Sequence, residues 1–140
     1  MARSERLTFE WDEQGLRLAR RIVREKPAPR GDDLGKEPRP DGLWIEVRGS
    51  QGRVLYRRAL RDAVPQHAEV FEPDGRIRAV PYAPETGVFT AVVPLERGAE
   101  AAVVVAGPEA ELAQAGLRAR PGEEGRRREL ARVPLRKAEG

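Results

Sequence analysis

Apolar and polar residues first alternate over residues 7–11, where Leu7, Phe9 and Trp11 share one face and Thr8 and Glu10 the other. A period of two with aromatics predicts a half-buried strand. Asp12, Glu13, Gln14 and Gly15 read as a turn in which Gly15 is free to take a positive φ. Residues 16–24 fit two patterns. Leu16, Leu18 and Ile22 share a strand face that Arg20 interrupts, whereas Leu18/Ile22 and Leu16/Ala19/Val23 fit a helix. The hairpin-like turn before them favours a strand with a bulge.

The clearest alternation spans residues 43–60, two runs around Gly49-Ser50-Gln51-Gly52. A four-residue hairpin loop pairs Arg48 with Arg53. Val47 then faces Val54, Ile45 faces Tyr56 and Leu43 faces Arg58 on the inner side. Trp44 faces Arg57 and Glu46 faces Leu55 on the outer side. A one-residue slip would invert both faces. Residues 68–72 and 76–80 flank the turn signal Pro73-Asp74-Gly75 and read as partners. Residues 87–94 and 101–106 are Val-rich and uncharged, so they are predicted to be central strands covered on both sides. After Gly107, Pro108–Ala115 is expected to form one or two helical turns closed by Gly116. Residues 118–128 read as flexible loop, and 129–135 as an edge strand that tolerates Pro134.

Short strands between Gly and Pro turns predict an all-β protein, an immunoglobulin-like β-sandwich of about seven to eight strands. The β-sandwich domain is assigned to residues 1–107. Residues 108–140 form a weakly structured C-terminal extension, with a short helix and an edge strand packed on the same domain. Residues 25–42, with four prolines and three glycines, form an exposed loop longer than most connections in compact domains. The stretches GRVLYRRAL (52–60) and GVFTAVVP (87–94) resemble the immunoglobulin-like β-sandwich modules of bacterial proteins, including those preceding IgA-peptidase-type zinc peptidases. The resemblance covers roughly residues 42–106. The peptidase half of such proteins has metal-binding histidines with no counterpart here. The resemblance therefore implies an accessory or partner-binding module without catalytic residues.

Composition narrows the chemistry. At 140 residues the chain suits one domain, and its core must be built from seven aromatics with Val, Leu and Ala. No cysteine is present, which excludes disulfides and thiolate metal sites. The opening MARSERLTFE has no apolar stretch to act as a signal peptide, and no run reaches the roughly 18 apolar residues of a membrane span. A cytoplasmic location without membrane association is expected. Of the 26 basic residues 23 are Arg, while Asn is absent and Ala, Gly and Pro abound, as in proteins encoded by GC-rich DNA. With 23 acidic residues the net charge is only +3, so the Arg content alone does not make a phosphate-binding face.

Few residues suggest chemistry. His67 is the single histidine, and a Ser50–His67–Asp62 triad has neither favourable spacing nor a nucleophile elbow. Asp32, Asp33, Glu37 and Asp41 offer oxygen ligands for calcium, but Lys26, Arg30, Lys36 and Arg39 are interleaved with them. No phosphate-binding glycine motif occurs. No catalytic residue, metal or cofactor is therefore expected, and an enzyme acting through His67 ranks last. Three basic clusters remain: Arg17/Arg20/Arg21/Arg24, Arg57/Arg58/Arg61 and Arg126/Arg127/Arg128. The first, as a stripe along one strand, is the nucleic-acid-binding alternative. Trp44, Leu55 and Arg57 on the outer sheet face have the composition of a protein-binding hot spot. The competing placement covers Trp44 within the monomer, under the N-terminal hairpin or the C-terminal segment, with Arg57 stacked on it. The leading expectation is a non-enzymatic protein-interaction or accessory module, acting through a sheet face, a sheet edge or the 25–42 loop. A structural subunit of an assembly is a second alternative.

Overall fold

The computed structural model describes residues 2–136. In chain order its strands are β1 (Ser4–Asp12), β2 (Gly15–Arg24), β3 (Leu43–Arg48), β4 (Val54–Ala59), β5 (His67–Phe71), β6 (Ile77–Pro81), β7 (Gly87–Pro94), β8 (Ala101–Ala106) and β9 (Arg128–Pro134). They form antiparallel sheets in the orders β2-β1-β7, β4-β3-β8-β9 and β5-β6. Seven strands thus lie in two larger sheets, and the ninth-strand total comes from the separate β5–β6 ribbon. No helix among the described residues is long and apolar enough to cross a membrane.

The β1–β2 hairpin follows the sequence reading. Asp12 faces Gly15, which sits at φ +128°, and Asp12 Oδ1 accepts the Gln14 N–H at 2.8 Å. Thr8 faces Arg20 while Phe9 faces Leu18, so Ala19 is the extra residue of a bulge. On its other side β1 pairs with β7, setting Phe9 opposite Phe89 and Trp11 opposite Gly87. The Phe9 and Phe89 rings stack at 5.3 Å. Leu7, Phe9, Trp11, Phe89, Ala91 and Val93 from this sheet meet Ile45, Val47, Tyr56, Ala102, Val104 and Val133 from the other in one apolar cluster. The two sheets therefore share one core.

Three expectations are corrected. Ile45 faces Arg58 and Val47 faces Tyr56, two residues from the expected register, and Leu55 is left unpaired as a bulge between Val47/Tyr56 and Arg48/Val54. The loop closes more tightly than four free residues would, through a 3-10 turn at Ser50–Gly52. An even shift preserves the faces, so Trp44 and Arg57 stay on one side, but the bulge turns Leu55 toward the main core. Second, β8 is central and buried throughout, whereas β7 is an edge strand whose outer face, Val88 and Thr90, is exposed. An uncharged run marks a strand without fixing how many of its faces are covered. Third, Pro108–Ala115 is not helical. Its backbone bonds outward, Glu109 N–H to the Pro40 carbonyl and Ala113 N–H to Gln66 Oε1, and only Ala115–Leu117 makes a 3-10 turn. The expected final strand forms as β9, an edge strand ending on Pro134, and it completes the four-stranded sheet. Residues 137–140 of the C-terminal extension lie outside the described residues.

Gly87 is fixed by its neighbour rather than by its own φ. A Cβ there would stand 2.0 Å from Cη2 and Cζ2 of Trp11, so the indole lies flat on the glycine. Gly87→Ala is expected to push Trp11 from its site and cost about 1–3 kcal/mol, the range for overpacking a filled core. Chemical denaturation read by tryptophan fluorescence measures this.

Candidate interaction surface

The outer face of the four-stranded sheet was the expected binding face, and it is covered. Trp44 is 2% exposed and clusters with Ala101, Val103 and Val105. Its indole Nε1 donates to Glu46 Oε1 at 2.7 Å, and Arg48 Nε donates to the other carboxylate oxygen at 2.9 Å. The guanidinium of Arg127 lies 5.5 Å from the indole centroid and pairs with Glu37 at 2.8 Å. The C-terminal segment and the 25–42 loop thus meet above Trp44. Arg57 is also buried. Its Nη2 donates to the carbonyls of Asp33 and Lys36, and Arg127, not Arg57, stacks on the indole. Trp44, Leu55 and Arg57 therefore do not form one exposed patch. A large indole draws covering chain over itself, because leaving it wet forfeits its burial energy.

The 25–42 loop has a structural role along this edge. Asp32 N–H donates to the Arg57 carbonyl and Asp32 Oδ2 accepts the Ala59 N–H, both at 2.7 Å. Tyr56 donates its hydroxyl to the Pro29 carbonyl at 3.0 Å, and burial holds its phenol above the ordinary value of 10.0. The loop carboxylates are occupied as well. Asp33 accepts the Gly35 N–H, Glu37 meets Arg127 and Asp41 meets Arg39. No group of three or more metal-ligating side chains occurs among the described residues.

The four arginines of β2 do not form a stripe. Arg17 and Arg20 lie opposite Glu10 and Thr8, but the bulge turns Arg21 opposite core-facing Leu7. Arg17 pairs with Glu10 at 3.0 Å and Asp12 at 2.8 Å, and Arg17 lowers the Asp12 pKa from its ordinary 3.8. Arg21 donates to both oxygens of the fully buried Glu5 and to the Pro134 carbonyl, tying the two sheets together. Among the described residues Arg20 and Arg24 form no ion pair with a carboxylate. His67 is exposed at the start of β5, and among the described residues no hydrogen bond joins it to Ser50 or Asp62.

Sequence reasoning missed the β5–β6 ribbon as a surface. Among the described residues, four of the five large exposed hydrophobics, Phe71, Ile77, Tyr82 and Val88, fall within residues 71–88. Phe71 and Ile77 are directly paired across the ribbon and are 73% and 58% exposed. The turn beyond them is closed by Glu72 N–H donating to the Arg76 carbonyl, with Gly75 at φ +86°. Arg76 and Arg78 pair with Asp74 and Glu72. The root is hydrogen-bonded to the fold. Buried Gln114 donates to the Pro65 carbonyl at 2.8 Å and accepts from Gln66, while Tyr82 N–H donates to the Gln66 carbonyl. The available signal was Phe71 sharing a strand face with Glu69, away from Ala68 and Val70.

Two outcomes follow for the covered face. Trp44→Ala is expected to cost about 3–5 kcal/mol in denaturant unfolding, the range for deleting a buried large side chain. Glu129 is held below its ordinary 4.5 chiefly by Arg132, with Arg48 adding to the effect and partial burial opposing it. A carboxylate with a depressed folded pKa stabilises the fold above the ordinary value and loses that contribution as pH falls through the lowered one. Glu129→Gln is therefore expected to flatten the acid limb of a stability–pH profile while changing its neutral-to-basic part only by a constant offset.

No protein-family model matches the chain, and neither a curated protein nor a solved structure does.

Proposed function

We propose that this chain is a non-enzymatic protein-interaction module of immunoglobulin-like type that contacts another protein through the tip of the β5–β6 ribbon. The observation carrying the proposal is the cross-strand pair Phe71/Ile77, exposed on a ribbon hydrogen-bonded to the fold at its root. A two-stranded ribbon has no second layer of its own in which to bury such a pair. Paired, exposed apolar side chains on a pre-ordered element are the composition of a contact anchor, because little side-chain entropy is lost when they dock. The immunoglobulin-like part is supported by the order β4-β3-β8-β9, which matches the C′-C-F-G order of variable-type domains. It is qualified by the order β2-β1-β7, where the first strand rather than the second pairs with β7. A cytoplasmic accessory role is the setting proposed for this activity.

The pairing of Arg17 and Arg21 with carboxylates weighs against the nucleic-acid alternative, since a neutralised arginine releases fewer counterions on meeting phosphate. A structural subunit would use the same ribbon, and the partner's identity separates that role from a transient one.

The test is retention of a partner from native cell extract by the immobilised chain, followed by identification of the retained protein. Phe71→Ser with Ile77→Ser is expected to abolish retention and leave thermal unfolding nearly unchanged, because both side chains are already in water. Retention that survives the double substitution sinks the proposal.

A further inference from the structure

Apart from the two strands of the β5–β6 ribbon, four strands lie at sheet edges: β2 and β7 in one sheet, β4 and β9 in the other. An open edge is a template for another strand. Three of the four are blocked. β2 carries a bulge and four arginines. β4 is overlaid by the loop through Asp32. β9 has a bulge, charged residues and Pro134, whose carbonyl already accepts from Arg21. β7 has no such block. Gly87–Pro94 is uncharged and pairs with β1 without a register shift, and among the described residues no other backbone hydrogen bond involves it.

Leu95 N–H donates to the Arg3 carbonyl, in register with Ser4 opposite Pro94. Residues that bond a given neighbour alternate along an antiparallel strand. Phe89, Ala91 and Val93 therefore bond β1, and Val88, Thr90 and Val92 turn their N–H and C=O groups outward. Beside them an open groove of about 610 Å³ separates Phe89 and Thr90 from residues 58–63.

We infer that β7 pairs antiparallel with β7 of a second copy of this chain, about a twofold axis at Ala91, joining two three-stranded sheets into one. A twofold axis uses the same edge on both chains. This register sets Thr90 opposite the partner's Val92 and Val88 opposite the partner's Pro94. Every outward N–H of Val88, Thr90 and Val92 then meets a carbonyl, and only the Val88 carbonyl, facing a proline, is left to water. Glu85, exposed just before β7, is brought to the same end of the pair as the partner's Arg97, exposed just after it, at both ends. Antiparallel self-pairing of β2 would instead crowd arginines together. Val88, 62% exposed in the single chain, lies along the new junction. Self-pairing through β7 does not involve the β5–β6 tip, so either can fail without the other.

Sedimentation velocity over a concentration series tests this with the full chain. The expected result is a monomer–dimer equilibrium that Thr90→Pro abolishes, since the Thr90 backbone N–H donates nothing to β1 and proline removes, besides the hydroxyl that meets Thr8 at 3.4 Å, only that outward N–H. Circular dichroism reports whether that variant folds. Arg97→Glu, at an exposed site, is expected to weaken the dimer several-fold, and Glu85→Arg combined with Arg97→Glu to restore it. A chain that stays monomeric throughout overturns the inference. So does a dimer indifferent to Arg97→Glu and, if the proline variant folds, to Thr90→Pro.

Discussion

Every residue of β8 is buried, and the four-stranded sheet must therefore be covered on both faces. The inner face of that sheet is met by the three-stranded sheet, through Ala102 and Val104 in the common core. Its outer face carries Val103 and Val105 beside Trp44, and among the described residues no strand of another sheet joins them in that cluster. Irregular chain takes that place. The 25–42 loop and the segment before β9 converge on the indole, joined by the Arg127–Glu37 pair. Beneath them Glu46, Arg48, Glu129 and Arg132 alternate in sign, so the carboxylate brought inside by Trp44 is balanced rather than stranded.

That constraint explains which parts of the fold were legible. Local patterns were read well because they need only near neighbours. Leu7/Phe9/Trp11, the Gly15 turn, the bulge in β2 and the Pro73-Asp74-Gly75 turn all stand as the alternation suggests. Errors arose where a residue's fate depends on distant chain. Val-rich β7 and β8 look alike in sequence, yet one lies at an edge and the other at the centre. Trp44 reads as an outward residue and is outward with respect to its sheet. What the alternation does not carry is that residues far along the chain will lie over it. Leu55 failed for a smaller reason, a single bulge that reversed its face.

The same logic governs the candidate surface. Several of the arginines and the proline-rich loop, the most conspicuous features of the composition, are engaged within the chain, on Glu5, Glu10, Glu37 and the free edge of β4. Edge protection is the common theme, because an all-β chain without a closed barrel must occupy or disable each edge. The exceptions stand out against that background. They are the ribbon tip and β7, both marked by large apolar side chains in water, and neither by an unusual residue type.

The pairing of Thr8 with Thr90 has a consequence for how the chain is made. As synthesis proceeds from the N-terminus, the β1–β2 hairpin can close early, but β1 meets its second neighbour only after β7 has emerged. Until then Leu7, Phe9 and Trp11 line a ribbon with nothing above it. Contacts so distant in sequence favour slow folding, and the interval is one in which a nascent chain is prone to capture by other exposed strands. The bulge at Ala19 and the arginines near it disable only the far edge of that early hairpin, while the edge of β1 that awaits β7 stays open.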